Sequence, residues 1–152
     1  MKYSIALNSR DRVNGGVANV CEFPFDFGVF KDGEYEMTFT FVSDPNDMTD
    51  IIKTCSIFSN TGGANVYTTT NTTNAGTTQY IGSVHSTGQM GVSAVTADEQ
   101  LIAGTHDNGG VYMSSKPAIQ TIKIRLLDGT GNAFSGVSSC PEWIMMMTFT
   151  KL

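Results

Sequence analysis

Apolar and polar residues alternate one for one along much of this chain. The clearest run is Glu34–Ser43, where Tyr35, Met37, Phe39 and Phe41 share one side and Glu36, Thr38 and Thr40 share the other. A period of two puts one set on a buried sheet face and the other in solvent. The same reading predicts strands at Lys2–Asn8, Asn19–Phe23, Thr54–Phe58, Asn65–Thr70, Thr78–Val84, Gly91–Val95, Leu101–Ala103, Gly110–Ser114, Ile119–Leu127 and Trp143–Lys151. Trp143–Lys151 departs from simple alternation. Met145-Met146-Met147 make it apolar on both faces, as in a central strand or one whose outer face meets a neighbour.

Turn residues separate these runs: Asp32-Gly33, Asn60-Thr61-Gly62-Gly63, Asn74-Ala75-Gly76, Asn108-Gly109-Gly110 and Asp128-Gly129-Thr130-Gly131. Gly, Asn and Asp accept the backbone angles of tight turns. No window keeps apolar residues at helical spacing for three turns, and only Pro45–Ile52, with Asp44 as a cap, predicts a turn or two of helix. Short strands with turns every 8–12 residues predict one all-β domain over residues 1–152, a sandwich or barrel. The Thr/Asn/Gly tract from Asn60 to Thr78 reads as a long hairpin or exposed loop, either a contact surface or an ordinary solvated edge.

Composition narrows the function. Charged residues make up 15% of the chain, against about a quarter in an average protein. Thr, Ser, Asn and Gly must therefore cover much of the surface, which suits close packing against neighbours. The net charge is −5, and the nine basic residues are scattered, with Arg10, Arg12 and nearby Lys2 the densest group. Binding to phosphate backbones requires a cationic patch, so direct nucleic-acid binding is not expected. No run approaches the ~18 apolar residues of a membrane span, and the start of the chain lacks the apolar core of a signal peptide.

Cys21, Cys55 and Cys140 are far apart, with no paired metal-ligand spacing. They read as three reduced, buried thiols in a reducing compartment, or as one disulfide plus a free thiol. Neither His85 nor His106 stands in a nucleophile signature. The carboxylates Glu22, Asp26, Asp98, Glu99 and Asp107 fall in turn-like segments. The acidic groups Asp44/Asp47/Asp50 and Asp107-Asn108-Gly109 match no calcium loop. Asn71-Thr72-Thr73 fits the glycosylation pattern only by chance if the chain is not exported. The expectation is a protein that is not an enzyme and needs no cofactor or metal.

Two segments carry a resemblance. One is Ile5-Ala6-Leu7-Asn8-Ser9-Arg10-Asp11-Arg12 through Cys21-Glu22-Phe23-Pro24. The other runs from Pro117 through Ile122–Leu126, Leu127-Asp128-Gly129 and Phe134 to Pro141-Glu142-Trp143 and the apolar run after it. Together they resemble the single jelly-roll penton (vertex) proteins of large icosahedral double-stranded DNA viruses and virophages. In that family a strand enters an S-x-D-R-like turn near the N-terminus, and an L-x-D-x-x-G turn precedes a final apolar strand. The resemblance covers about a third of the chain, at its two ends.

It implies a single jelly-roll antiparallel β-sandwich of about eight strands, with two facing sheets. It also implies a homopentameric ring at the fivefold vertices of the virion, contacting major and minor capsid proteins after assembly in the host cytoplasm. Under it Arg10, Asp11, Arg12 and Trp143 are candidates for inter-subunit contact or for anchoring the N-terminal segment. A within-chain salt bridge for the arginines, and a core position for Trp143, are the plainer alternatives. A carbohydrate- or receptor-binding β-sandwich is the competing function, with Tyr67, Tyr80 and Tyr112 as its aromatic candidates.

Overall fold

The computed structural model describes residues 1–14, 18–43, 54–61, 78–86, 102–105, 110–128, 140 and 142–152. Among the described residues nine strands form: β1 (Lys2–Asn8), β2 (Val20–Pro24), β3 (Tyr35–Ser43), β4 (Thr54–Ser59), β5 (Gln79–Ser86), β6 (Ile102–Thr105), β7 (Val111–Met113), β8 (Thr121–Asp128) and β9 (Trp143–Lys151). All pairings are antiparallel. Their order is β1-β9-β3-β6-β5-β4-β8-β2, with the short β7 added beside β3. The path turns over between β6 and β5, where only His85↔Ala103 and Ser86↔Ile102 pair. Two four-stranded sheets result, β1-β9-β3-β6 and β2-β8-β4-β5. The chain visits them in the jelly-roll order, so the expected fold class is the observed one.

The core lies between the sheets, and the period-two pattern explains its contents. From one sheet come Ile5, Leu7, Tyr35, Met37, Phe39, Phe41, Trp143, Met145, Met147 and Phe149. From the other come Cys21, Phe23, Cys55, Ile57, Ile81, Ile122, Ile124 and Leu126. Phe58, Leu127 and the partly buried Tyr80 form a separate cluster, on the opposite face of β4 and β8 from Ile57 and Leu126. A register shift between Ile57 and Phe58 marks an irregularity where β4 meets β5.

Two 3₁₀ turns follow β1 and β2. Ser9–Asp11 is capped by Asn8, whose side chain accepts from Arg10 N. Phe27–Val29 is capped by Asp26, which accepts from Gly28 N. The second turn folds Phe25, Phe27 and Phe30 over one end of the core, with Phe30 stacked on Tyr3 at a 4.1 Å centroid distance. Gly33, at φ 141°, occupies backbone space that favours glycine, and a Cβ there would lie 2.5 Å from Lys151 Cε.

The helix expected at Pro45–Ile52, the strands at Asn65–Thr70 and Gly91–Val95, and most of the Asn60–Thr78 tract lie outside the described residues. Among the described residues no helix is long and apolar enough to cross a membrane.

Candidate functional site: a joint between the two chain ends

The turn after β1 and the start of β9 meet in one polar joint at the edge of the apolar core. Antiparallel pairing of Asn8 with Ile144 brings the Ser9–Arg12 turn against Glu142 and Trp143. Ser9 is fully buried, and its hydroxyl donates to Glu142 Oε2 and accepts from Trp143 N at 2.8 Å. Arg12 Nη1 donates to Glu142 Oε2 at 2.9 Å, to Glu142 Oε1 at 3.0 Å and to Ser9 O at 2.7 Å. Arg12 and Glu142 are both mostly shielded from solvent, so their attraction is weakly screened.

Trp143 extends the joint to the second sheet. Its indole Nε1 donates to Ala18 O at 2.7 Å, and the Cys21 thiol donates to the same oxygen at 3.2 Å. Its ring packs on Phe41 and Phe23, with centroids 5.5 and 6.0 Å away. One residue thus ties β9 to the turn ahead of β2 as well as filling the core.

The four residues singled out from sequence therefore part company. Arg12 and Trp143 anchor the N-terminal segment within the chain, and Trp143 is a core residue. Arg10 and Asp11 project to the surface beside the joint. Ser9 and Glu142, which sit in the quoted motifs but were not assigned roles, complete the network. The signal available for them was only their place next to Arg12 and Trp143.

Cys21 and Cys140 lie beneath the joint. All three cysteines are buried, and none is in a disulfide. Burial pushes the Cys21 thiol up to about 12, with Arg12 opposing and Glu142 reinforcing the shift. Burial likewise raises Cys140, helped by Cys21 and Glu142. Both are held as neutral thiols, unsuited to nucleophilic attack.

The remaining candidates serve structure. Asp26 is the turn cap described above, and Glu22 lies 3.7 Å from Lys123. An open groove lined by Pro24, Phe25, Asp26 and Gln120 contains one carboxylate. Asp98, Glu99, Asp107, the Asp44–Asp50 group, His106 and Tyr67 lie outside the described residues. Tyr80 is half-buried, with its hydroxyl on Ser83. Tyr112 is 38% exposed, and its hydroxyl donates to Glu34 Oε1 at 2.5 Å.

The outer face of β1-β9-β3 differs from the joint in character. Cross-strand rows place Asn8, Ile144 and Val42 together, then Ala6, Met146 and Thr40, then Ser4, Thr148 and Thr38. Ionic side chains appear only in the last row, Lys2–Thr150–Glu36. Ile144 and Met146 are 48% and 41% exposed. The strand that reads as apolar on both faces is thus central in its sheet, with Ile144 and Met146 exposed on its outer side.

A jelly-roll sandwich closed by a buried Ser–Arg–Glu joint is the class that fold and site define. Compared with known proteins, the chain matches no family model and no curated protein sequence.

Proposed function

We propose that this chain is a structural shell subunit, a penton protein whose five copies close a ring at each fivefold vertex of an icosahedral virus capsid. The observation that carries this reading is the joint itself. The two segments that resemble the penton family, remote in sequence, lock together through Ser9, Arg12, Glu142 and Trp143. A heterologous ring closes only if each wedge holds one shape, because an error in angle accumulates around the ring. A joint that ties the first strand to the last, and one sheet to the other, supplies that stiffness.

Surface character supports the same reading. The partly apolar outer face of β1-β9-β3, ionic only at its Lys2–Thr150–Glu36 row, suits burial against a neighbouring capsid protein, and subunits of net charge −5 can approach over the other three rows without apposing carboxylates. In this role the protein resides in the virion after assembly in the host cytoplasm, and it contacts major and minor capsid proteins.

Native mass spectrometry over a concentration series tests the proposal. A species at five times the 16.3 kDa chain mass is the expected result. A chain that stays monomeric throughout and binds a defined glycan on an array would overturn it in favour of a binding module.

A further inference from the structure

The two strands that end the sheet path are finished differently. At β2 the outer edge is already occupied. Val13 N donates to Glu22 O at 3.0 Å, Glu22 N donates to Asn14 Oδ1 at 3.0 Å, and Asn14 Nδ2 donates to Val20 O at 2.9 Å. Pro24, the last residue of β2, has no N–H to offer. A further strand cannot pair there without displacing these bonds.

At β1 no such cover is present among the described residues. Lys151 N donates to Met1 O at 2.9 Å, which makes the odd-numbered residues of β1 the ones that exchange hydrogen bonds with β9. The N–H and C=O groups of Lys2, Ser4, Ala6 and Asn8 therefore point away from the sheet. Among the described residues no hydrogen bond reaches the backbone of Ser4 or Ala6 from that side, and both are exposed. The strand has seven residues, no proline and a single charge at one end. Natural sheets usually blunt such an edge with charge, proline, a bulge or a cover.

We propose that the β1 edge is a second assembly surface, and that its occupant is β1 of another copy of this chain, paired antiparallel about Ile5. Self-pairing is the match the strand itself carries. A register centred on Ile5 sets Ser4 opposite Ala6 and Lys2 opposite Asn8 of the second copy. The Lys2–Asn8 and Ser4–Ala6 pairs, each formed twice, then combine outward-pointing backbone groups, giving about eight hydrogen bonds. The two Lys2 side chains sit at opposite ends, roughly 20 Å apart along the strands. Beyond Asn8, Arg10 and Asp11 cancel in charge, so this acidic chain meets its copy without like-charge repulsion. The two β1-β9-β3-β6 sheets become one continuous sheet.

The edge pairing uses backbone groups of β1 rather than the outer face of β1-β9-β3, and a dimer and a five-membered ring are read out as different masses. The test is native mass spectrometry and amide hydrogen exchange on the full chain, for wild type and Ala6→Pro. The Ala6 N–H makes no bond to β9, so proline there removes an assembly donor and no intrachain hydrogen bond. The expected result is a dimer at twice 16.3 kDa, or even multiples of any ring, with association weakened about tenfold or more in Ala6→Pro. In wild type the Ser4 and Ala6 amides should gain protection as concentration rises, while Tyr3, Ile5 and Leu7 are protected throughout. Amides at Ser4 and Ala6 that exchange freely at every concentration overturn the proposal, even if Ala6→Pro fails to fold. So does an even-numbered species that persists in folded Ala6→Pro. Loss of a five-fold species alone bears on the ring and leaves the edge proposal standing.

Discussion

Arg12 and Arg10 are two residues apart in sequence and have different physical roles. Arg12→Ala strands the Glu142 carboxylate beside buried Ser9 and removes a donor from Ser9 O. Breaking a largely buried ion pair from one side costs about 2–4 kcal/mol, so a clear fall in Tm is expected by differential scanning fluorimetry. Arg10→Ala should leave Tm nearly unchanged, because its side chain is exposed. If Arg12→Ala were silent and Arg10→Ala costly, the joint would have been misassigned. The cysteines give a second expectation at this scale. The folded state holds Cys21 protonated up to about pH 12, while an unfolded thiol ionises near its ordinary value of 9.0. Between those values the unfolded chain binds fewer protons than the native one, so stability falls as pH rises through that window. A Tm series from pH 8 to 11 should decline, and more gently in Cys21→Ala. The Arg12 partner is not legible in the sequence, since Glu142 lies 130 residues away and only the β1–β9 register brings it close.

Strands were legible and connections were less so. The bounds read for β1 and β9 are the observed ones, because alternation and flanking polar residues delimit them. The segment Phe25–Phe30 was not read as an element. Phe25, Phe27 and Val29 alternate with Asp26 and Gly28 as a strand would, yet a 3₁₀ turn curls Phe27 and Phe30 onto Tyr3, Tyr35 and Phe149 instead. Asn14 shows how one side chain can stand in for a strand. Asn14→Ala should uncover the β2 edge, lower stability by about 1 kcal/mol and raise the exchange rate of the Glu22 amide, as measured by NMR. Unchanged protection at Glu22 would mean that the edge is sheltered in another way. Asn60 plays a comparable part at the end of β4, bonding Thr121 O and Lys123 N, each at 2.8 Å.

For the molecule as a whole, the topology makes the last strand indispensable. β9 sits between β1 and β3, pairing with β1 over Ile144–Thr150 and with β3 along its full length. Lys2 faces Thr150, so the first sheet cannot form until the two ends of the chain meet. Deleting 143–152 should therefore abolish the cooperative fold rather than trim an edge, leaving a poorly dispersed NMR spectrum. A truncated chain with a native-like spectrum would contradict this arrangement. Pairings this remote close large loops before any contact rewards them, so refolding is expected on the slow side, in milliseconds to seconds by stopped-flow fluorescence of Trp143.

Alternation fixed the all-β class and the faces of the long strands, because side-chain direction in a strand follows from position alone. Low charge and scattered basic residues were equally plain in the composition. Only the tertiary structure decided which strands are neighbours, that Arg12 is spent on Glu142, that Trp143 spans both sheets, and that β1 is an open edge while β2 is a covered one. Those outcomes depend on pairings between residues more than a hundred positions apart, and a local pattern carries no record of the partner it will meet.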